Sequence, residues 1–194
     1  SICTIIVIDS DNNTSNILTI SPFTIGSGIF VAVGNSGTIV RSTDNGTTWG
    51  NETSPTANIL RGVAYGNISN HKGNYVAVGD GGNIVRSADS TNCKTNAGVS
   101  PQDEGVICDI GSSFDNKTSP TASGLIRVTF GNNTFVAVGG SGTILTSSDG
   151  ISWTSRTSGT LNELYLVTYA NSTFVAVDGS GTILTSSDSI SWTS

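Results

Sequence analysis

What this chain does without is informative. It has no methionine, one histidine, three cysteines and only four prolines in 194 residues, and just 11% of its residues are charged. Eight basic residues face 14 acidic ones, a net charge of −6, and the three lysines and five arginines are scattered. Binding a nucleic-acid backbone needs a basic cluster, so nucleic acid is excluded as a partner. The longest purely apolar run is Ile5-Ile-Val-Ile8, far short of the roughly 20 residues a membrane-spanning helix requires. With His71 as the sole histidine and no second pair of ligands near the cysteines, neither a zinc site nor a Ser/His/Asp or Cys/His catalytic set is expected beyond that residue. Position 1 is Ser, and the chain is expected to be a processed or trimmed product, a signal peptide being one candidate for the part removed.

What is present is repetition. Ile29-Phe-Val-Ala-Val-Gly34 returns as Asn74-Tyr-Val-Ala-Val-Gly79, Thr134-Phe-Val-Ala-Val-Gly139 and Thr173-Phe-Val-Ala-Val-Asp178. Each copy is followed by a second phrase: Gly37-Thr-Ile-Val-Arg-Ser42, Gly82-Asn-Ile-Val-Arg-Ser87, Gly142-Thr-Ile-Leu-Thr-Ser147 and Gly181-Thr-Ile-Leu-Thr-Ser186. Short β-branched runs punctuated by glycine form hairpins, and no segment carries a helical period. Aligning the copies predicts four strands per unit. Strand one is Leu60–Gly66, Leu125–Gly131 and Leu164–Ala170, with Ile20–Gly26 as a first, proline-containing version. Strand two is the Val-Ala-Val phrase, strand three the Ile-Val/Leu phrase, and strand four starts at Trp49, Phe114, Trp153 and Trp192. In strand one Tyr165 falls in the same column as Arg61 and Ile126.

The spacing between the anchor valines Val31, Val76, Val136 and Val175 is uneven for one reason. About twenty residues, within 90–113, are inserted into one hairpin turn, and they carry Cys93 and Cys108. A disulfide between these two is expected in an oxidising compartment and would contribute about 3 kcal/mol for a loop of that size; the alternative is two reduced thiols. Cys3 is left over.

The turn from strand three to strand four holds a motif: Ser42-Thr-Asp44-Asn-Gly46-Thr-Thr-Trp49, then Ser147-Ser-Asp149-Gly-Ile-Ser-Trp153 and Ser186-Ser-Asp188-Ser-Ile-Ser-Trp192. In the second unit Asp89 and Phe114 flank the insertion. This motif resembles the Asp-box repeat of sialidase-like β-propellers, and the whole phrase is similar to propellers of the photosystem II assembly-factor type. The resemblance covers roughly residues 20–194. It implies an all-β propeller of about four four-stranded blades (approximately 20–54, 58–120, 124–159 and 163–194), with strand one lining the axis and the boxes at the periphery. The alternative is a partial propeller, cut from a longer chain or completed by a second copy. The box chemistry itself is structural: the carboxylate accepts backbone N–H groups of its own turn, glycine supplies positive φ, and the indole covers the hairpin.

Residues 1–19 match no part of the repeat. Ile2, Cys3, Ile5, Ile6, Val7 and Ile8 form the most apolar β-prone stretch of the chain. Left unpaired, such a strand would aggregate. It is expected to add to its own propeller or to be donated to a neighbouring subunit; an arm disordered in isolation is the remaining reading.

Glycoside hydrolysis needs two carboxylates across a sugar, and sialidases further require an arginine cluster and a tyrosine nucleophile. Only Arg61 and Arg127 fall on strand one, and Glu52, Glu104 and Glu163 lie in loops or at strand edges. No catalytic residue, metal or cofactor is therefore expected. Sequons occur at Asn12, Asn13, Asn45, Asn51, Asn67, Asn116, Asn132 and Asn171, a mild excess over chance that repeat duplication also explains. Acidic charge, sequons and paired cysteines point to a secreted, extracellular or cell-surface protein. The function this supports is a structural, assembly or interaction module, a candidate subunit of a surface fibre or coat. Its partners would be other protein chains, copies of itself among them, or glycans. A lectin using Tyr165, with Arg61 and Arg127 as further ligand contacts, is the alternative; a hydrolase has less support.

Overall fold

The computed structural model describes residues 28–68, 73–87, 93–94, 107–108 and 111–194. These build an all-β chain of antiparallel sheets, one per repeat. The first sheet holds β1 (Phe30–Val33), β2 (Ile39–Ser42) and β3 (Gly50–Asn51). The second holds β4 (Leu60–Gly66), β5 (Asn74–Gly79) and β6 (Ile84–Ser87); its hairpin is interrupted by β7 (Cys93–Lys94) and β8 (Ile107–Cys108) before β9 (Phe114–Lys117) completes it. The third is β10 (Leu125–Gly131), β11 (Thr134–Gly139), β12 (Ile144–Ser147) and β13 (Thr154–Arg156). The fourth is β14 (Leu164–Ala170), β15 (Thr173–Asp178) and β16 (Ile183–Ser186), with strand four reduced to the single bridge between Thr185 and Thr193. Strand order follows chain order in every sheet, the up-and-down meander of a propeller blade.

The fourth strands are shorter than the repeat pattern suggests. Trp49 and Trp153 end the turn rather than open the strand, which starts one residue later at Gly50 and Thr154. Each indole instead closes its turn by a hydrogen bond, described below. The expected first strand of the first blade, Ile20–Gly26, and the apolar stretch Ile2–Ile8 both lie outside the described residues.

Alternation along strand two explains why the sheets stack. In β11, Phe135 and Ala137 face one way and Val136 and Val138 the other, and all four are fully buried. Phe135, Ala137, Leu145 and Trp153 join Val76, Val78 and Ile84 of the preceding blade in one cluster. Val136, Val138 and Ile144 join Leu164, Val167, Phe174 and Leu184 of the following blade in another. Burying both faces of a strand is what a stack of sheets demands, and each such Val or Leu contributes about 1.5–3 kcal/mol. Within a blade the aromatics form a short ladder: Phe130 to Phe135 at 4.7 Å and Phe135 to Trp153 at 6.4 Å, repeated as Tyr169–Phe174 at 4.5 Å and Phe174–Trp192 at 6.4 Å. Polar ties also cross between blades. The Tyr75 hydroxyl donates to the Ile29 carbonyl at 2.8 Å, and Asn116 Nδ2 to that of Pro55 at 2.9 Å.

Strand one of each blade runs beside strand one of the next, so β4, β10 and β14 lie side by side at the inner edge. Their approach is close. A Cβ placed on Gly66 would come within 2.3 Å of Phe135 Cζ and 2.6 Å of Phe130 Cδ2, and one on Gly131 within 2.1 Å of Tyr169 Cγ. Glycine ends these two strands because the next blade's aromatic ladder occupies the space a side chain would need.

Candidate functional site at the bulged inner rim

All three described inner strands carry a β-bulge at the same repeat position. In β4 the register passes from Leu60 opposite Gly79 to Gly62 opposite Val78, leaving Arg61 without a partner residue. In β10 the residue skipped is Ile126, and in β14 it is Tyr165. A bulge re-aims the extra residue out of the ladder. Three adjacent blades thus present Arg61, Ile126 and Tyr165 at equivalent points along one rim, next to the start of each inner strand.

The polar surroundings are built from the turn after strand two. Arg61 forms a two-pronged ion pair with Asp80, Nε to Oδ1 and Nη2 to Oδ2, the latter at 3.1 Å. Hydrogen bonding to Asp80 raises the Arg61 pKa further above its ordinary value, outweighing partial burial. Arg127 crosses to the neighbouring blade and donates Nη1–H to the carbonyl of Arg61 at 2.7 Å; its own burial lowers its pKa. On the fourth blade Tyr165 is 49% exposed. Its hydrogen bond with Glu163, and that carboxylate's charge, raise the phenol pKa. Asp178 replaces the glycine found at this position in the other three blades. It accepts N–H bonds from Ser180 and Thr182, both at 2.8 Å, and a bond from Asn162 Nδ2 at 2.7 Å. Its pKa is lowered to about 2, first by the Thr182 hydroxyl and then, against desolvation, by Asn162 and the two amides.

Between β4, β10 and β14 lies a cavity of about 80 Å³ lined by Gly62, Val63, Arg127, Thr129, Leu166 and Thr168. Ligand pockets usually enclose roughly 300 Å³ or more, so this space suits a few waters, not a sugar.

The Ser-x-Asp turns of the first, third and fourth blades sit at the far side of each, between strands three and four. Ser42 Oγ donates to Asp44 Oδ1 at 2.8 Å and accepts the Gly46 N–H at 2.9 Å, while Asp44 Oδ1 accepts the Thr48 N–H at 2.8 Å. Trp49 Nε1 closes the turn on the Gly46 carbonyl at 3.1 Å. Ser147, Asp149, Gly150 and Trp153 repeat the pattern, with the Ile151 and Ser152 amides on Asp149 Oδ1 and the indole on the Gly150 carbonyl at 3.3 Å. Ser186, Asp188 and Trp192 do the same, with the indole on the Ser189 carbonyl at 3.2 Å. Asp44 is drawn down to about 2 by the Thr48 hydroxyl and amide and by Ser42; Asp188 reaches about 2 through the Ser191 and Ile190 amides. For Asp149 desolvation pushes up, but the Ser152 and Ile151 amides and Ser147 hydroxyl outweigh it and the pKa falls. These carboxylates are anchors of their own turns.

The remaining sequence candidates are dispersed. Phe114 is buried at the start of β9, and Asp89 and His71 lie outside the described residues. The small β7–β8 hairpin places Cys93 directly opposite Cys108. Asn45, Asn51, Asn67, Asn116, Asn132 and Asn171 are all exposed, and Asn12 and Asn13 lie outside the described residues. Among the described residues no group of three or more His, Cys, Asp or Glu could hold a metal ion, and no helix is long and apolar enough to cross a membrane. The bulge column is what sequence reading missed. Its signal was present: Leu60 and Val63, Leu125 and Val128, Leu164 and Val167 are all buried three residues apart, a spacing that breaks the two-residue period of a regular strand.

Meander sheets stacked face to face, with first strands gathered at an inner edge, define a β-propeller. No protein-family model and no curated protein matches the sequence. Among solved structures, YCF48 from Cyanidioschyzon merolae superposes with a TM-score of 0.55 at 19% identity, covering 89% of this chain and 57% of that one. A structure of YCF48 bound to D1 peptide gives a TM-score of 0.54 at 18% identity, covering 87% of this chain and 50% of that one. The likeness is one of fold, and the chain spans about half the length of these structures.

Proposed function

We propose that this propeller is a non-catalytic interaction module whose bulged rim engages a protein segment, and that it serves as an extracellular or surface assembly subunit. The observation that carries this reading is the rim itself: a cation at Arg61, an aliphatic at Ile126 and an exposed aromatic at Tyr165, projected by three equivalent bulges. A mixed basic, apolar and aromatic strip suits an extended peptide, and Tyr and Arg are residues that concentrate binding energy. A likeness to a propeller solved with a peptide supports the same class of partner. The absence of a hydrolytic role rests on the acids: the turn aspartates are consumed by backbone N–H groups, and Asp80 is committed to Arg61. An extracellular setting is supported by six exposed sequon asparagines and by the Cys93–Cys108 register. The apolar stretch Ile2–Ile8 would then be the strand donated to a neighbouring subunit in a fibre or coat.

The test is binding of the intact chain to an immobilised peptide library, repeated with Tyr165→Ala and Arg61→Glu. Binding lost at least tenfold in both variants supports the rim; binding indifferent to both removes it. A second reading, a lectin, follows from the exposed Tyr165 face, and strong Tyr165-dependent binding on a glycan array would select it. Hydrolysis of a sialoside or glucan would overturn the non-catalytic assignment. For the arm, deletion of residues 1–9 should reduce the mass of any native oligomer; an unchanged oligomer removes strand donation.

A further inference from the structure

The loop that leaves each of the first three blades repeats, with one departure. It reads Asn51-Glu-Thr-Ser-Pro-Thr-Ala57 after blade one and Asn116-Lys-Thr-Ser-Pro-Thr-Ala122 after blade two, but Ser155-Arg-Thr-Ser-Gly-Thr-Leu161 after blade three. The residues that hold the turn are kept. Ser158 Oγ donates to the Thr160 carbonyl at 3.0 Å and Thr160 Oγ1 accepts the Asn162 N–H at 3.0 Å, as Ser54, Thr56 and Asn58 do in blade one. Four other positions change together: Asn to Ser, Glu or Lys to Arg, Pro to Gly and Ala to Leu.

Those four changes meet in space. Between blades one and two, Asn116 Nδ2 donates to the Pro55 carbonyl at 2.9 Å. Between blades two and three the matching residue is Ser155, and the shorter side chain does not repeat the bond to Pro120. A cleft of about 430 Å³ opens there, and all four changed residues line it, with Pro120 and Thr121 across from them. That volume falls in the range of ligand pockets, roughly 300 Å³ and upward. Leu161 is 88% exposed, and a Cβ placed on Gly159 would meet nothing within 4 Å.

The charge changes as well. In blade one Glu52 lies 3.9 Å from Arg41 of strand three. In blade three strand three offers Thr146 instead, whose hydroxyl accepts the Arg156 Nε–H at 2.8 Å. That bond orients the guanidinium and leaves both of its Nη groups as donors; among the described residues no carboxylate pairs with it. A guanidinium so held can grip a carboxylate through two parallel bonds. The hydroxyls of Thr121, Thr143, Ser155 and Thr157 also line the cleft. Each can donate or accept, which suits a ligand rich in hydroxyls.

We propose that the cleft between blades two and three binds a hexuronate. The carboxylate sits on Arg156, the sugar hydroxyls on the Ser and Thr lining, and a C–H face of the ring on Leu161. The sugar is taken either free or as a unit of an acidic polysaccharide. The site is distinct from the bulged rim and stands whether or not the rim binds a peptide.

The test is calorimetric titration of the intact chain with galacturonate, glucuronate and mannuronate, with galactose as the uncharged counterpart. At least one hexuronate should saturate a single site, tenfold or more tighter than galactose. Arg156→Gln should weaken it at least tenfold, and so should Ser155→Asn, which restores the tie to Pro120 and leaves the Tm unchanged or raised. Should Arg156→Gln fail to fold, Leu161→Ala, at an exposed side chain, is read in its place and should weaken binding several-fold. Tyr165→Ala should leave it unaltered, which separates this site from a sugar site on the rim. Trigalacturonate binding more tightly than the monomer supports the polysaccharide as source; equal or weaker binding supports the free sugar. No saturation by any of the three hexuronates overturns the proposal, as does equal binding of galactose or affinity indifferent to both Arg156→Gln and Ser155→Asn. An Arg156-dependent affinity for a tetraglutamate peptide, with none for the hexuronates, would mean that the cleft takes a protein segment, and also overturns it.

Discussion

Arg127 donates a hydrogen bond from Nη1 to the backbone carbonyl of Arg61, 2.7 Å away, and so links the inner strands of two adjacent blades. That carbonyl belongs to a bulged residue, whose main chain the ladder does not satisfy in the usual way. A charged donor to a carbonyl is among the stronger single hydrogen bonds of a protein, worth about 1.5–3 kcal/mol. Arg127→Leu should therefore lower stability by about that amount, measured by chemical denaturation, while Arg127→Lys recovers part of it. If both variants match the wild type, the link has no structural role.

The Arg61–Asp80 pair at the same rim should behave in the opposite way. Both side chains are well exposed, at 40% and 38%, and exposed ion pairs contribute about 1 kcal/mol or less. Asp80→Asn is expected to leave the Tm nearly unchanged while making the rim more basic. Its effect should appear in the affinity for acidic peptides, increased at low salt and lost at high salt.

Adding one methyl group where blades meet should be costly. Gly66→Ala drives a Cβ into Phe135 and Phe130, and Gly131→Ala into Tyr169, at distances no relaxed pair of carbon atoms adopts. Overpacking of this sort costs about 1–3 kcal/mol. Thermal melts of the two variants should fall by several degrees; Gly50→Ala, where nothing lies within 4 Å, is the control.

The turn carboxylates set the acid limit of the fold. Asp44 and Asp188 have pKa values of about 2 in the folded chain against an ordinary 3.8, because turn amides and hydroxyls stabilise the ionised form. Groups shifted downward stabilise the folded state above their unfolded pKa, and that contribution is lost as pH falls towards the folded value. The Tm should stay level from neutral pH to about 5 and then decline as the pH drops from roughly 4 to 2. Asp44→Asn and Asp188→Asn should melt lower at pH 7 and show a shallower decline below pH 4. A parallel decline in wild type and variants would remove these two acids as its source.

The β7–β8 hairpin yields a chemical prediction. Cys93 faces Cys108 in register, so protein recovered from an oxidising compartment should show one internal disulfide joining them on non-reducing peptide mapping. Detection of both as free thiols in such material would refute the pairing.

Most of the fold was legible because the repeat states it four times. The Val-Ala-Val phrases, the glycine-bearing turns after them and the Ser-x-Asp turns each specify local geometry, and the described strands lie where those phrases fall. The rim was legible only in part. Alignment put Arg61, Ile126 and Tyr165 in one column, yet a bulge is a statement about two strands: it emerges only when Leu60 and Gly62 are counted against Gly79 and Val78. The shortened fourth strands were missed for a related reason. Trp49 and Trp153 look like strand residues by propensity, but each spends its indole N–H on the turn, and the ladder waits for the next residue.

The bulge has a wider implication. Its residue owes no ladder partner to the neighbouring strand and can be exchanged with little disturbance to the layers behind it. When a gene encoding such a unit is copied in tandem, every copy inherits one position free to diverge while the rest stays fixed by packing. Arg, Ile and Tyr already stand there in three successive copies, so new specificities can be composed letter by letter on an unchanged scaffold.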